Sequence, residues 1–548
     1  MRYTMEQPQR WWKWRICTSG SSSPPRGVLP FSLRVCCVLL VGLLARAVSS
    51  SQPAAFVTHS NDTLLLDGKA FYFLGANAYY LMEEAAKRDT QTVKALFQTA
   101  GAMKMTVVRT WGFNDWPDSF YAAVIQYRPG VFNERALRAL DYVIYQARLH
   151  DIRLLIPLVN NWDDYGGMNQ YVRWRAESDS SDTPLAQQRY TPADRMRLIE
   201  GGYGRSYRFA INAQFGHDDF YSDPIIRGWF RNYIATILNR LNTITNIRYK
   251  DDPYIFGWEL ANEPRSSDRT AQRVYHWSVE MSSYIKSLDQ NHLVGTGEEG
   301  FDISPAAYSM SSYNNQHWLF DGSNGVSFTG NNVIQTIDFA SCHVYPESWN
   351  LSTAAGNVWM EDHRRLAKTA GKPLIVGEFG VRNQKVATYD SWLTTALWDD
   401  IAGSMVWQIL EGSRGDLQGV GFRCSEEPVL CSHLGEFGEK FMAKSRTGSP
   451  ARPERVTLQQ NYPNPFNGLT TIIYTLPTDA FVELSVYNAI GQQVATVVKG
   501  MQAAGERRAL LDAASLASGV YFYRLQVGNG QGFGARSFSQ TRKLVIIR

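Results

Sequence analysis

The 548-residue chain has little net charge: 55 Lys and Arg against 51 Asp and Glu leave +4. No basic cluster in its body recurs with the interleaved aromatics of a nucleic-acid groove, so nucleic acid is not an expected partner. Cysteine is scarce, at six, and Cys17, Cys36 and Cys37 all fall within the first 50 residues. No Cys and His spacing repeats in the way a zinc site requires, and neither metal nor cofactor is expected. Cys342 sits in a strand pattern as a small core hydrophobe. Cys424 and Cys431 flank a short loop and can bridge after export, although spacing alone does not fix that pairing. Internal repeats and low-complexity tracts are absent. There is also no apolar run long enough to cross a bilayer comfortably. The run from Val35 to Leu44 is short, follows Arg10, Lys13, Arg15, Arg26 and Arg34, and exits through Ala45-Arg-Ala47. That order describes a secretory signal, so residues 1–50 are set aside from the fold.

What the chain does have is apolar and aromatic. With 44% hydrophobic and 19% charged residues it is globular rather than disordered. Its 16 Trp, 28 Tyr and 26 Phe either fill cores or pack against the apolar faces of sugars, and composition does not choose between these. After a hairpin pattern from Phe56 to Phe73, short apolar runs alternate with amphipathic stretches. Strands are predicted at Phe71–Asn77, Met105–Trp111, Ile152–Val159, Tyr254–Leu260, His292–Thr296, Ile337–Val344, Pro373–Glu378 and Ser404–Ile409. Eight strands alternating with helices point to an α/β fold, a (β/α)8 TIM barrel. The runner-up is an open doubly wound sheet, but it lacks the dinucleotide fingerprint after the first strand. The barrel is expected over residues 51–444, a polar Pro-containing linker over 445–456, and a small all-β sandwich, read from period-two strands, over 457–548.

In a barrel the chemistry gathers at the C-terminal strand ends, so polar residues there gain weight. Two apolar runs end on carboxylates: Tyr254-Ile-Phe-Gly-Trp-Glu-Leu-Ala-Asn-Glu263 and Pro373-Leu-Ile-Val-Gly-Glu378. A pair of strand-end glutamates is what glycoside hydrolysis needs, one to protonate the leaving oxygen and one to attack or to activate water. The other strand ends carry Asn77 and Tyr79, Arg109 and Trp111, Asn160, Asn161 and Trp162, Glu298 and Glu299, His343 and Tyr345, and Trp407. Strand alternation turns only one of Glu298 and Glu299 inward. The long segment from Asn160 to Ser222, rich in Tyr, Trp, Gly and Arg, reads as a groove wall.

Trp258-Glu-Leu-Ala-Asn-Glu-Pro264, with Ile375-Val-Gly-Glu-Phe-Gly380 downstream, resembles glycoside hydrolase family 5, a family of (β/α)8 retaining enzymes. The segment Val159-Asn-Asn-Trp-Asp-Asp-Tyr-Gly-Gly-Met-Asn-Gln-Tyr-Val172 is similar to its endo-β-1,4-mannanase branch. The resemblance spans about Phe56 to Lys444. It implies Glu263 as acid/base and Glu378 as nucleophile, Asn262 on the sugar 2-hydroxyl, and Arg109 paired with Glu378. Tyr345 would hydrogen-bond the nucleophile, His343 would line the same wall, and Trp407 would form the sugar platform. Trp111, Asn161, Trp162 and Glu299 would be subsite residues. On this reading Arg109 lowers the Glu378 pKa, while burial and the charge of Glu378 raise that of Glu263.

Leu458-Gln-Gln-Asn-Tyr-Pro-Asn-Pro-Phe-Asn467, Tyr487-Asn-Ala-Ile-Gly491 and Ser518-Gly-Val-Tyr-Phe-Tyr523 resemble the sorting domain read by type IX secretion, an address label often removed on export. The stretch Gln531–Gln540 departs from that pattern as a longer insertion. Together the resemblances imply a secreted or cell-surface monomeric endo-β-1,4-mannanase, exported through an N-terminal signal peptide, with β-mannan and the secretion machinery as partners. Two alternatives remain: a β-1,4-glucanase of the same fold, and a surface carbohydrate-binding protein without activity.

Overall fold

Eight parallel strands close into a ring. The computed structural model describes residues 54–117, 121–179, 216–416, 418–447, 455–477, 480–502, 505–528 and 538–547. The expected targeting segment (1–50) and residues 448–454 of the expected linker lie outside them, as do residues 180–215 of the long Asn160–Ser222 segment and residues 531–537 of the insertion. The barrel strands are β1 (Phe73–Asn77), β2 (Val107–Arg109), β3 (Arg153–Pro157), β4 (Ile255–Glu259), β5 (Leu293–Gly295), β6 (Ala340–Val344), β7 (Leu374–Phe379) and β8 (Gly403–Val406). Their order is β5-β4-β3-β2-β1-β8-β7-β6, and the ring closes through a parallel bridge between Gly295 and Phe339 and the bond from the Asp338 N–H to the Val294 carbonyl at 2.7 Å. Nearly every strand residue is buried on both sides, so these strands are continuous apolar runs without alternation.

The helices covering the ring are α1 (Thr90–Ala102), α2 (Glu134–Leu149), α3 (Pro224–Asn239), α4 (Gln272–Leu288), α5 (Ala355–Thr369), α6 (Lys385–Trp398) and α7 (Pro428–Thr447). Side-chain caps start three of them: Asp89 bonds the Thr92 N–H, Asn133 that of Arg135, and Asp223 those of Ile225 and Ile226. α7 begins at Pro428 and runs unbroken to Thr447. It tolerates Gly438 because a side chain there would meet the Met103 carbonyl at 2.2 Å, so the glycine lets helix and loop touch. The N-terminal hairpin (Val57–Ser60 with Thr63–Leu66) plugs the bottom of the barrel, where Val57, Leu64 and Phe71 pack with Phe73, Val107, Phe256 and Phe339. A disulfide joins Cys424 to Cys431, and Cys342 is a buried free thiol.

Past α7 the pattern becomes antiparallel. The sheet β9-β10-β13 (Thr457–Leu458, Leu469–Leu476, Gly505–Asp512) faces the sheet β12-β11-β14-β15 (Gln493–Gln502, Ala480–Asn488, Gly519–Gly528, Phe538–Ile546). Their inward residues, including Ile472, Val482, Leu484, Leu511 and Leu525, form one core. The Asn-Tyr-Pro-Asn-Pro-Phe-Asn motif has a structural role here: Tyr523 donates to the Gln459 carbonyl and accepts from the Asn461 N–H, while buried Phe466 exchanges backbone bonds with Val545 and Ile547. The motif thus ties the first turn of the domain to its last strand.

Candidate active site

Parallel strands deliver all their C-terminal ends to one mouth, and both glutamates arrive there. Glu378 is on β7 itself. Glu263 lies four residues past the end of β4, at φ +53°, a left-handed conformation that a glutamate adopts only where its surroundings hold it. The holding bonds run to both neighbouring strand ends: the Asn262 N–H to the Val159 carbonyl at 2.7 Å and the Glu263 N–H to the Gly297 carbonyl at 2.8 Å.

The two carboxylates have different partners. Glu378 Oε1 accepts from Arg109 Nη1 at 2.6 Å and Oε2 from the Tyr345 hydroxyl at 2.7 Å. Glu263 Oε2 accepts from Trp162 Nε1 at 2.6 Å, and its Oε1 lies 2.7 Å from His343 Nδ1. That same Nδ1 is 3.6 Å from Glu378 Oε2, so the imidazole stands between the acids. One carboxylate oxygen of each glutamate and a His343 nitrogen all lie within 4.8 Å of one another.

Arg109 is the hub beneath them and is fully buried. Its Nε donates to Glu259 at 2.7 Å, Nη1 to Asn77 at 3.2 Å as well as to Glu378, and Nη2 to Asn262 Oδ1 at 2.8 Å. Asn77 in turn donates to the Gly377 carbonyl, and Asn262 to Asn160 Oδ1 at 3.0 Å. Sequence reading assigned no role to Glu259, Asn77 or Asn160, although each occupies a strand end. For Glu259 the signal is a carboxylate inside an otherwise apolar run, which demands a buried partner.

Electrostatics runs against the expectation from sequence for both glutamates. Burial opposes ionisation of Glu263, but His343, Arg265 and the Trp162 N–H outweigh it and hold the carboxyl at about 2. Burial pushes Glu378 up from the ordinary carboxylate range, ahead of the opposing pull of His343 and Arg109. Burial lowers the His343 pKa, yet the charge of Glu378, then that of Glu263, raises it overall. Across the His343–Glu263 contact both shifts run the same way, favouring a charged imidazole beside an ionised carboxylate. Sequence placed His343 on a wall and left this contact unseen.

Aromatic rings form the rest of the mouth. Trp407 stacks on Tyr79 with centroids 5.7 Å apart at 6°, and Tyr79 meets Trp111 at 4.8 Å. Buried Glu83 braces this side: it accepts from the hydroxyls of Tyr121 and Tyr165 and pairs with Arg414, whose guanidinium lies 5.5 Å from the Tyr79 ring. Nothing in the sequence pattern marked Glu83 or Arg414. On the opposite side Glu299 differs from expectation: both its oxygens are occupied by Arg265, at 2.5 and 2.6 Å. Two long charged groups meet in a water-poor position there, so each takes the other as its partner. Burial still pushes Glu299 up to about 7. Arg265 lies 5.2 Å from the Trp162 ring and 4.6 Å from the Phe301 ring, and its N–H donates to Asn161 Oδ1. Glu298, the neighbour expected to point away, is fully buried against Thr296 and Asn331, and burial raises it to about 8.

This chain matches a family model described as "GH family 5 beta-mannosidase-like" over residues 54–442 and one described as "Secretion system C-terminal sorting domain" over residues 460–536. It is 36% identical over 425 residues to mannan endo-1,4-beta-mannosidase 2 of Oryza sativa subsp. japonica, covering 73% of this chain and 85% of that protein. Among solved structures, the endo-beta-1,4-mannanase from Thermotoga petrophila superposes with a TM-score of 0.60 at 27% identity, over 88% of this chain and 99% of that one. The endo-1,4-beta-mannanase from Rhizomucor miehei superposes with a TM-score of 0.58 at 33% identity, over 71% of this chain and all of that one.

Proposed function

The chain belongs to the β-mannosidase-like group of glycoside hydrolase family 5, and from that membership and the Glu263–Glu378 geometry we propose that it is a secreted endo-β-1,4-mannanase working with retention of configuration. The observation that carries the mechanism is that one oxygen of each carboxylate, with the His343 nitrogen between them, lies within 4.8 Å of the other. Retaining hydrolysis needs about 5 to 5.5 Å between carboxyls, whereas inversion needs about 6.5 to 9.5 Å to seat a water. Substrate class rests on the relatives, which are mannanases by name.

Glu378 is the nucleophile, aimed by Arg109 and Tyr345, and Glu263 is the acid/base. As Glu378 bonds the anomeric carbon its negative charge is consumed, which removes the charge that most strongly holds the proton on His343. The proton then passes along the 2.7 Å contact to Glu263 and on to the leaving glycosidic oxygen. In the second step Glu263 deprotonates water, the mannosyl ester breaks, and Glu378 regains its charge. Asn262 keeps its second amide hydrogen for the sugar 2-hydroxyl, its other polar atoms serving Arg109 and Asn160. Trp407 and Trp111 form the platform, with Asn161 and Trp162 toward the leaving group; Glu299 acts there through Arg265 rather than on sugar directly. Export uses the C-terminal sorting domain together with an N-terminal signal peptide within residues 1–50, and the enzyme acts as a monomer.

Two results follow from this reading. Reducing ends appear on galactomannan and glucomannan, with a rapid fall in viscosity, and only weakly on carboxymethyl cellulose. Preference for the cellulose would establish a glucanase instead, and no release from any of the three a binding protein. Second, His343→Asn lowers kcat by about 10²-fold and moves the alkaline limb of kcat/KM to lower pH. In the wild type the last proton of the triad leaves from an imidazole raised above 6.5, whereas in the variant it leaves from a carboxyl. An unmoved limb would show that His343 does not carry that proton.

A further inference from the structure

A domain that serves only as an address label has no need of a built seat on its cargo, yet one exists here. β13 of the sandwich lies along α6 of the barrel. Arg507 on β13 is only 2% exposed and forms a two-pronged pair with Asp399, just past α6, at 2.6 and 2.9 Å. Glu361 on α5 stands 3.6 Å from the same guanidinium and accepts from the Gln502 amide at 3.1 Å. Next along the strand, Arg508 Nη1 reaches Asp390 on α6 at 2.5 Å, while the Ser391 hydroxyl donates to the Arg508 carbonyl at 3.1 Å. His433 of α7 approaches the other oxygen of Asp390 at 3.3 Å.

Apolar contacts agree. Ala509 and Leu511 point into the sandwich core, so Leu510 between them points out of it; it is nevertheless 3% exposed. Gly505 opens β13 against Trp398, where a side-chain carbon would come within 2.9 Å of the indole. Opposite charges meet across the interface, Arg507 with Asp399 and Arg508 with Asp390, and Glu506 of the same strand also holds the Arg508 guanidinium. The desolvated, bidentate Arg507–Asp399 contact is of the kind that sets specificity in a lasting interface, whereas rim charges on a tethered domain would remain in water.

We propose that Glu361, Asp390 and Asp399 form a docking site on the outer helices of the barrel that is built for β13, so that the sandwich stays on the enzyme as a non-covalent subunit after the connecting chain is cut. Sorting and retention are then separable: removing the covalent link does not remove the domain.

In the test, a specific protease sequence replaces residues 448–454 of the full chain, cleavage is run to completion, and the products are separated by size-exclusion chromatography at micromolar concentration. Both fragments are expected in one peak. Asp399→Asn, which leaves the sandwich sequence untouched, and Arg507→Glu each weaken re-association of the fragments at least about 30-fold, the usual result of breaking one side of a buried charge pair. Separate peaks from the wild-type cut chain would overturn the proposal, as would unchanged re-association in a folded Asp399→Asn protein. The thermal melt of the uncut variant identifies that folded state without reference to which polysaccharide the barrel cleaves.

Discussion

Glu378→Gly is expected to lose mannan hydrolysis by a factor on the order of 10⁴ or more, a loss typical of removing a covalent nucleophile. It regains turnover of an activated aryl β-mannoside when azide is supplied. Azide fits the space left by the side chain and attacks from the face that Glu378 occupied, so the product is the inverted α-mannosyl azide. Glu263→Gly behaves differently. The glycosyl-enzyme still forms from an activated leaving group, azide then attacks that intermediate, and the product retains the β configuration. The two products separate the roles without reference to any pKa. This matters because in the resting site burial raises the nucleophile and the hydrogen bonds of Glu263 lower the acid/base. If the inverted azide came from Glu263→Gly instead, the assignment would be reversed.

The barrel was legible because its strands are apolar runs of five or so residues separated by helices of ordinary period, a pattern that local sequence carries in full. Both glutamates were legible because each ends such a run. Partners contributed from distant parts of the chain were not. Arg109 joins Glu259, Glu378, Asn77 and Asn262, which lie 150, 269, 32 and 153 positions away. No window of sequence shows that Glu259, the carboxylate on β4, belongs to the same cation as Glu378. Glu299 illustrates the converse: a carboxylate at the correct strand end was given to substrate, whereas Arg265, one residue past the Asn-Glu-Pro turn, folds back and occupies it. The inverted pKa order has a similar origin. Sequence placed one charge beside each glutamate, but the His343 ring lies between the two and favours the ionised form of Glu263 through its shorter contact.

Arg109→Met tests the hub, and its stability and activity effects part company. With the guanidinium gone, Glu259 remains fully buried with a carboxylate whose Oε1 already lacks a partner, and removing one side of such a pair costs about 3–5 kcal/mol. Chemical denaturation should register that loss in the midpoint at unchanged slope. Adding Glu259→Leu removes the orphaned charge, so the double variant recovers most of the stability. Activity does not return, because Glu378 still lacks its cation. Burial already lifts that carboxyl, and without Arg109 it rises further, because a contacting cation that favoured the charged form is gone. The nucleophile must be ionised, so the acid limb of kcat/KM moves to higher pH in both the single and the double variant. Wild-type stability in Arg109→Met would mean that solvent reaches Glu259 and that the hub is not dry. A double variant less stable than the single one would mean that Arg109 holds the strand ends through Asn77 and Asn262 rather than through charge.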